Sequence, residues 1–367
     1  MKRSLGLAVL FAALSASATG CSSGDASDDA GVADASDGGG SDAGDAGSDG
    51  GAGDAGSDGG AGDAGGDGGS GVEARDAGGF TGGFSFDGGS GGFGGGPCMA
   101  SKTPIVFLHG NGDDSTVWSR PASTGGASVL ASLQAAGYQG CELFGLTWLT
   151  PEEQLTPELV YHDSARAQLV RDFLDAVRAY TAFGRIDVVG HSMGATLALH
   201  ALEGTGEEAG VRRFVSISGG LRGLVSCEVV GPANPAAPTC GSQSLFDSDT
   251  FGFYPTQNAR METGGFRDRP ASGTASYYSI RAGLSDEVLC ATSDTGCDSA
   301  LFDSSSSVIA QLDVGQGEPT VVIGDDDSTG VGHFRARSNA GPLLVNMLTT
   351  SCAGASCCTS YAGVCGP

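Results

Sequence analysis

From residue 103 onward, short apolar runs alternate with longer stretches in which apolar residues recur every three or four positions. The short runs predict buried strands and the longer stretches predict amphipathic helices. The predicted strands are 103–108, 141–148, 186–189, 213–218, 277–282 and 319–323, and the predicted helices are 128–136, 161–180, 193–203 and 342–349. This alternation predicts an α/β fold with a mostly parallel central sheet and helices on both faces.

The first 96 residues have a different composition. Residues 22–96 hold 30 of the 65 glycines, 15 acidic residues and one basic residue, Arg75. They include a nine-residue repeat that starts at Asp45 and again at Asp54, but the repeat lacks the large aliphatic residue that a calcium-binding β-roll needs. A chain of this kind cannot bury enough apolar surface to fold. We therefore predict a flexible linker over 21–96 and a single globular domain over 97–367.

The chain carries a formal net charge of −25 at pH 7. Such an acidic balance argues against binding to nucleic acid, because nothing would neutralise the phosphates. It equally disfavours electrostatic docking on anionic lipid. We expect no nucleic-acid partner.

The N-terminus has the features of a processing signal. Two basic residues precede an apolar run at 5–14, which is too short to span a membrane and predicts a signal peptide over 1–20. The small residues that end at Cys21 resemble the cleavage site of bacterial lipoproteins, in which the cysteine becomes lipidated. Ordinary signal cleavage beside a chance cysteine is the alternative. We expect an extracytoplasmic protein tethered to the cell envelope through Cys21.

The eleven cysteines agree with an oxidising compartment, because ten remain after Cys21. The pairs that lie close in sequence are Cys227 with Cys240 and Cys290 with Cys297. Cys98 with Cys141 is a further candidate pair, whereas the pairing among the four cysteines of 352–365 cannot be deduced. No histidine lies near the two close pairs and their spacing fits no zinc site, so we expect no metal.

The segment Gly190-His191-Ser192-Met193-Gly194 follows a predicted strand and opens a predicted helix. In this context G-x-S-x-G forms a tight turn that presents a nucleophilic serine at the carboxyl edge of the sheet. Glycines are needed on both sides, because the helix starts so close to the strand that side chains would clash. The motif predicts Ser192 as a nucleophile and the backbone N–H of Met193 as one oxyanion donor.

A serine nucleophile needs a histidine base, which in this architecture follows the serine along the chain. Of the five histidines, only His333 lies on a predicted loop after Ser192. His200 falls on the helix after the motif and His191 within the motif, so we interpret both as packing residues. We interpret His109 as a residue that shapes a loop. Elimination therefore predicts His333 as the base.

The acid of the triad has two candidate locations. Asp286 follows the predicted strand 277–282 by a short loop, whereas three aspartates at 325–327 share a loop with His333. We favour Asp286, because the acid normally comes from a different strand end. The second oxyanion donor is expected in the turn after the first strand, at the backbone N–H of Asn111.

Several segments resemble a known family. PIVFLHGNGDD, YTAFGRIDVVGHSMG, SGGLRGLVSC and TGVGHFRARSNAG are similar to segments of extracellular polyhydroxybutyrate depolymerases that attack native, amorphous polyester and are related to small bacterial lipases. The resemblance runs from about 104 to 352 and implies an α/β-hydrolase fold. It also implies a triad of Ser192, Asp286 and His333, with Asn111 and Met193 as oxyanion donors.

The resemblance implies a serine hydrolase that degrades poly-3-hydroxybutyrate through an acyl-enzyme. A triacylglycerol lipase or a carboxylesterase is the alternative within the same chemistry. A surface-tethered binding module that keeps the fold without turnover is the alternative of another class. We expect no organic cofactor, a monomer, and contact with a membrane only through the lipid anchor.

Overall fold

The computed structural model describes residues 79–121, 126–161, 163–202, 204–221, 239, 274–286, 288–289, 300–302, 306–315, 332–359 and 365. Within this part of the chain the strands are β1 (Gly92–Phe93), β2 (Ile105–Leu108), β3 (Leu143–Leu146), β4 (Ile186–His191), β5 (Val211–Ile217), β6 (Ser276–Arg281) and β7 (Val308–Asp313). They form one sheet in the order β1-β3-β2-β4-β5-β6-β7. Neighbouring strands are parallel, except that β1 runs antiparallel to β3.

Helices cover both faces of this sheet. They are α1 (Val129–Ala135), α2 (Pro151–Leu155), α3 (Ser164–Thr181), α4 (Met193–Leu202), α5 (His333–Ser338) and α6 (Gly341–Thr349). Apolar residues of α1 and α6 form a core with one face, and those of α3 and α4 form a core with the other. This arrangement confirms the predicted α/β class with a mostly parallel sheet. Among the described residues, no helix is both long and apolar enough to cross a membrane.

The longest helix, α3, shows how the local sequence sets an element. Asp163 caps its first turn by accepting from the N–H of Arg166 at 2.9 Å, so the helix starts after the predicted residue 161. The positions that face the sheet recur at helical spacing and are fully buried, among them Val170 and Phe173. The helix ends where Ala182 adopts a left-handed conformation.

Two strands and two helices are not predicted by the hydrophobic pattern, and one of these helices, α2, has only five residues. β7 is an edge strand whose apolar residues are interrupted by Gln311, and β1 has only two residues. His333, expected on a loop, instead begins α5, whose six residues are too few for a helical period to stand out. The predicted strand 319–323 lies outside the described residues.

Residues 79–96, which the sequence analysis assigns to the linker, pack against α3. The rings of Phe80, Phe84 and Phe86 lie 5.0–5.9 Å from the ring of Phe173 in α3. The hydroxyl of Tyr180, also in α3, bonds to the backbone of residues 82 and 96. These phenylalanines supply the apolar surface that the rest of the glycine-rich region lacks.

The fourth phenylalanine of this region, Phe93, is fully buried against the edge of the sheet. It packs beside Phe107, with ring centroids 6.2 Å apart. The fit depends on Gly145 in the neighbouring strand, because a Cβ there would lie 2.2 Å from the Phe93 ring. β1 therefore covers what would otherwise be the exposed edge of β3.

Three disulfides lie within the described residues. Cys98 pairs with Cys141, as predicted, and ties the start of the domain to the turn before β3. The C-terminal cysteines pair in chain order, as Cys352 with Cys357 and Cys358 with Cys365. Bridges of this number are typical of proteins that fold in an oxidising, extracytoplasmic compartment. The predicted pairs Cys227–Cys240 and Cys290–Cys297, and the predicted lipid site Cys21, lie outside the described residues.

The burial of Phe93 gives a direct test of whether residues 79–96 belong to the folded domain. Replacing Phe93 with alanine should lower the free energy of unfolding by about 3–5 kcal/mol, because it leaves a cavity at the sheet edge. Met99, in the same region, is 91% exposed, and its replacement with alanine should change stability by less than about 0.5 kcal/mol. Chemical denaturation of both variants measures the difference. Equal stabilities would mean that residues 79–96 are not part of the folded domain.

Candidate active site

Ser192 lies at the end of β4, immediately before α4, as the G-x-S-x-G motif predicts. Its φ of 52° is in the left-handed region, which non-glycine residues seldom adopt. Its N–H donates to the carbonyl of Ile217 in the adjacent strand at 2.9 Å, and its carbonyl accepts from the N–H of Ala195 at 3.0 Å. These bonds hold the serine at the carboxyl edge of the sheet.

The two glycines of the motif are required by close packing. A Cβ at Gly190 would lie 2.5 Å from the Cα of Ala195, and a Cβ at Gly194 would lie 2.3 Å from the carbonyl oxygen of His109. Real Cβ atoms do not approach other atoms so closely. The absence of side chains therefore lets α4 begin directly against the ends of β4 and β2.

The structure brings together two of the predicted site residues that are far apart in sequence, His333 and Asp286. Nδ1 of His333 lies 3.0 and 3.1 Å from the two carboxylate oxygens of Asp286. Both side chains are buried, with 2% or less of their surface exposed. Because a carboxylate can only accept, the proton belongs on Nδ1, and Nε2 then carries the lone pair. This is the tautomer that a general base needs.

Asp286 is itself fixed by its backbone surroundings. It follows β6 by a short 3-10 turn, and its Oδ1 accepts from the N–H groups of Val288 at 3.1 Å and Leu289 at 2.8 Å. These two donors hold the carboxylate in its orientation toward the imidazole. The rival candidates at 325–327 lie outside the described residues.

His191 connects the serine turn to His333. Its Nε2 donates to the carbonyl of His333 at 3.2 Å, and the two rings lie 4.7 Å apart. The ring of His191 is completely buried, and this desolvation lowers its pKa well below the ordinary value of 6.5. His191 is therefore a neutral packing residue, as interpreted from the sequence, but it also touches the predicted base.

A second buried histidine, His109, anchors the turn of residues 109–114 that follows β2. Its Nε2 accepts from the N–H of Trp148 at 3.2 Å, and its Nδ1 donates to the carbonyl of Gly110 at 2.8 Å. The indole N–H of Trp148 donates to the His109 carbonyl, and the two rings stack. Burial lowers the pKa of His109, so this histidine also stays neutral.

The 109–114 turn lies against the serine. A Cβ at Gly110 would be 3.1 Å from the Cβ of Ser192. The side-chain amide of Asn111 donates to the carbonyl of Pro157 at 2.7 Å. Met193 is the first residue of α4, where the N–H has no acceptor within its own helix. Met193 and the 109–114 turn thus both lie next to Ser192.

Several residues near the site carry no motif and were not predicted. Trp148 and Pro157 follow β3 and contact the 109–114 turn, while Asp113 and Arg337 form a buried ion pair. A long-range contact of this kind leaves no local signal in the sequence. Within the described residues, no group of three or more histidine, cysteine, aspartate or glutamate side chains could hold a metal ion.

Residues 102–251 match the sequence model of the family described as Lipase (class 2). No curated protein matches the chain. The fold is similar to a lipase from Bacillus licheniformis in its propeptide form, at 15% identity and a TM-score of 0.46, over 70% of this chain and 52% of that chain. Lipase B from Aspergillus fumigatus gives 17% identity and a TM-score of 0.46, over 71% and 55%. The chain spans about half the length of these two lipases.

The match to the lipase family covers β2 to β5 and includes the serine turn. Together with the sheet order, it confirms the predicted α/β-hydrolase fold and the predicted class of enzyme, a serine hydrolase that acts on carboxylic esters. It supports the predicted likeness to lipase-related hydrolases. It also argues against the non-catalytic binding module.

Because His109 and His191 are buried and neutral, we expect the free energy of unfolding to depend on pH. Because the folded-state pKa values of His109 and His191 lie below the unfolded value of 6.5, their contribution is complete above pH 6.5 and is lost as the pH falls below it. A histidine that stays neutral while the unfolded chain binds a proton lowers the free energy of unfolding by at most about 1.4 kcal/mol per pH unit. Urea denaturation at several pH values between 7.5 and 5.5 measures this slope.

His191→Gln serves as the matched variant, because glutamine keeps an N–H near the position of Nε2 but does not titrate. Below pH 6.5, the free energy of unfolding of this variant should decrease less steeply with pH than that of the parent protein. The difference is the contribution of one histidine. A slope identical to that of the parent protein would show that His191 is protonated in the folded state or does not contribute.

Proposed function

We propose that Ser192, His333 and Asp286 form the catalytic triad of an extracytoplasmic ester hydrolase. The observation that carries this proposal is the contact of His333 with Asp286 beside a serine held in a left-handed turn. Ser192 follows β4, Asp286 follows β6 and His333 begins α5. The three groups have the chain order serine, aspartate, histidine that is typical of α/β-hydrolases.

In this mechanism the hydroxyl of Ser192 attacks the ester carbonyl while Nε2 of His333 takes its proton. The carbonyl oxygen becomes an oxyanion, which the N–H groups of Met193 and Asn111 stabilise. As the C–O bond to the alcohol breaks, His333 returns the proton to the leaving oxygen. Water, activated by the same imidazole, then attacks the acyl-enzyme and releases the acid.

The assignment of the acid can be tested against its rival. Asp286→Asn should lower kcat for a short-chain nitrophenyl ester by about 10⁴-fold, because the amide favours the wrong tautomer of His333. Asp326→Asn, from the competing triple-aspartate segment, should leave kcat within about twofold. Ser192→Ala defines the background rate. Stopped-flow measurement of the acyl-enzyme burst completes the test, and a folded parent protein with no serine-dependent burst would refute the triad.

The proposed substrate is a short-chain hydroxyacid polyester such as amorphous poly-3-hydroxybutyrate. The resemblance of residues 104–352 to polyester depolymerases supports this choice. Acylglycerols are the second candidate, because the match to class 2 lipases favours them. Both substrates are insoluble, so the surface around the serine has to meet an apolar phase.

Two exposed leucines lie where such a contact is needed. Leu155 and Leu159 are 68% and 51% exposed, and Met99 is the other large apolar side chain exposed among the described residues. The leucines flank Pro157, whose carbonyl is bonded to Asn111 in the 109–114 turn. An apolar substrate surface could therefore cover both leucines while one of its esters reaches the serine.

Changing both leucines to serine should separate insoluble from soluble substrates. Hydrolysis of amorphous polyester granules or emulsified triglyceride should slow by at least about tenfold, because each leucine would lose about 1.5 kcal/mol or more of apolar contact. Turnover of a soluble nitrophenyl ester should stay within about twofold. Met99→Ser is the matched control and should change neither rate.

Comparing granules with triglyceride on the same samples chooses between the two substrates. Faster, Ser192-dependent clearing of granules supports the depolymerase, and faster release of fatty acid supports the lipase. Hydrolysis of the soluble ester alone would assign a carboxylesterase.

The proposed location is the outer side of a cell membrane, with lipid on Cys21 and a linker that begins there. The disulfides of the folded domain support an oxidising environment. The domain is proposed to act as a monomer, with its ester substrate as its partner and no organic cofactor or metal.

A further inference from the structure

A buried ion pair joins two segments of the site that are far apart in the chain. Nη1 of Arg337 donates to Oδ2 of Asp113 at 2.6 Å, and each side chain is only 6% exposed. Asp113 lies in the 109–114 turn, and Arg337 lies one helical turn after His333 in α5. The pair therefore connects the turn of one proposed oxyanion donor with the helix of the proposed base.

The helix α5 depends on contacts of this kind. Its six residues are too few to be stable alone, and Gly332 at its N-terminus supplies no side-chain cap. Two side-chain contacts hold its ends: His333 at its start bonds Asp286, and Arg337 in its last turn bonds Asp113. Loss of the second contact would let the helix pivot about the first.

The turn depends on the same pair from the other side. The N–H of Asp113 donates to the carbonyl of Gly110 at 3.3 Å, which closes the turn around Asn111. Gly110 in turn packs against Ser192. A displacement of the Asp113 carboxylate would therefore move the backbone N–H of Asn111 relative to the serine.

We propose that Asp113 and Arg337 are positioning residues, which set the distance between the 109–114 turn and α5. This inference rests on the proposed triad. The pair does not touch the reacting atoms, and it acts through Asn111 and His333. Because reacting groups must be aligned within about 1 Å, an error of that size lowers kcat by about 100-fold.

A double-mutant comparison separates positioning from stability. Asp113→Asn and Arg337→Met should each lower Tm strongly, because each leaves one charge buried and unpaired. In the double variant no charge is left unpaired, so Tm should return close to that of the parent protein. The kcat for a short-chain nitrophenyl ester should nevertheless stay about 10- to 100-fold low, with KM within about threefold. Recovery of kcat together with Tm would overturn the proposal.

Arg337→Lys tests the same idea without removing charge. Lysine keeps the cation but not the planar guanidinium that fixes direction. We expect Tm near that of the parent protein and kcat lowered at least about fivefold. A parent-like kcat in this variant would also overturn the proposal, whether or not the double variant folds.

A second ion pair, whose carboxylate is buried and whose arginine side chain is 33% exposed, provides the control. Asp187, near the start of β4, is fully buried and bonds Arg212 at the opposite edge of the sheet from Ser192. Asp187→Asn should lower Tm as the other single variants do, while kcat stays within about twofold.

Ser192→Ala in the parent protein separates failure of the proposed triad from failure of the proposed positioning role. If turnover survives that change, the triad fails; if it does not, the ion pair is judged on the double and lysine variants alone.

Discussion

The left-handed backbone of Ser192 is the constraint on which the rest of the site depends. A non-glycine residue in this conformation costs about 1–2 kcal/mol, so the surrounding structure has to enforce it. The hydrogen bond to Ile217 fixes the residue on one side, and the immediate start of α4 fixes it on the other. Gly190 and Gly194 make that start possible because they leave no Cβ between the helix and the strands. The same closeness brings the 109–114 turn against the serine.

Two neutral buried histidines, His109 and His191, hold the segments between the sheet and the proposed base in place. His109 is held between Trp148 and Gly110, and His191 donates to the backbone of His333. An imidazole suits both places because its neutral form offers one donor and one acceptor to fixed backbone groups. A charge there would be strongly disfavoured by burial, so the site gains order at the expense of stability in acid.

The parts of this architecture that could be predicted from the sequence are those with local signals. The continuous apolar run of β4, the glycines around Ser192 and the helical period of α3 each depend on residues close together in the chain. The strand before Asp286, β6, could be predicted because it has such a run, whereas β7 could not, because Gln311 interrupts its apolar residues. The packing of Phe84 and Phe93 could not be predicted, because their partners Phe173 and Gly145 are distant in sequence. The Asp113–Arg337 pair was hidden for the same reason, since 224 positions separate its members.

The same distinction explains why the reaction is better determined than the substrate. The proposed nucleophile and acid lie at the ends of β4 and β6, where the sheet fixes them, and any ester carbonyl that reached Ser192 would meet the same proposed base and donors. The segments that connect the strands therefore determine which esters the enzyme accepts. One of them, residues 148–161, is joined to the 109–114 turn through Asn111 and Pro157 and carries the exposed leucines Leu155 and Leu159. A polyester surface and a lipid surface both present ester groups in an apolar phase, so we expect them to contact this segment in the same way. The choice between them therefore depends on how much chain the space beyond the serine can hold.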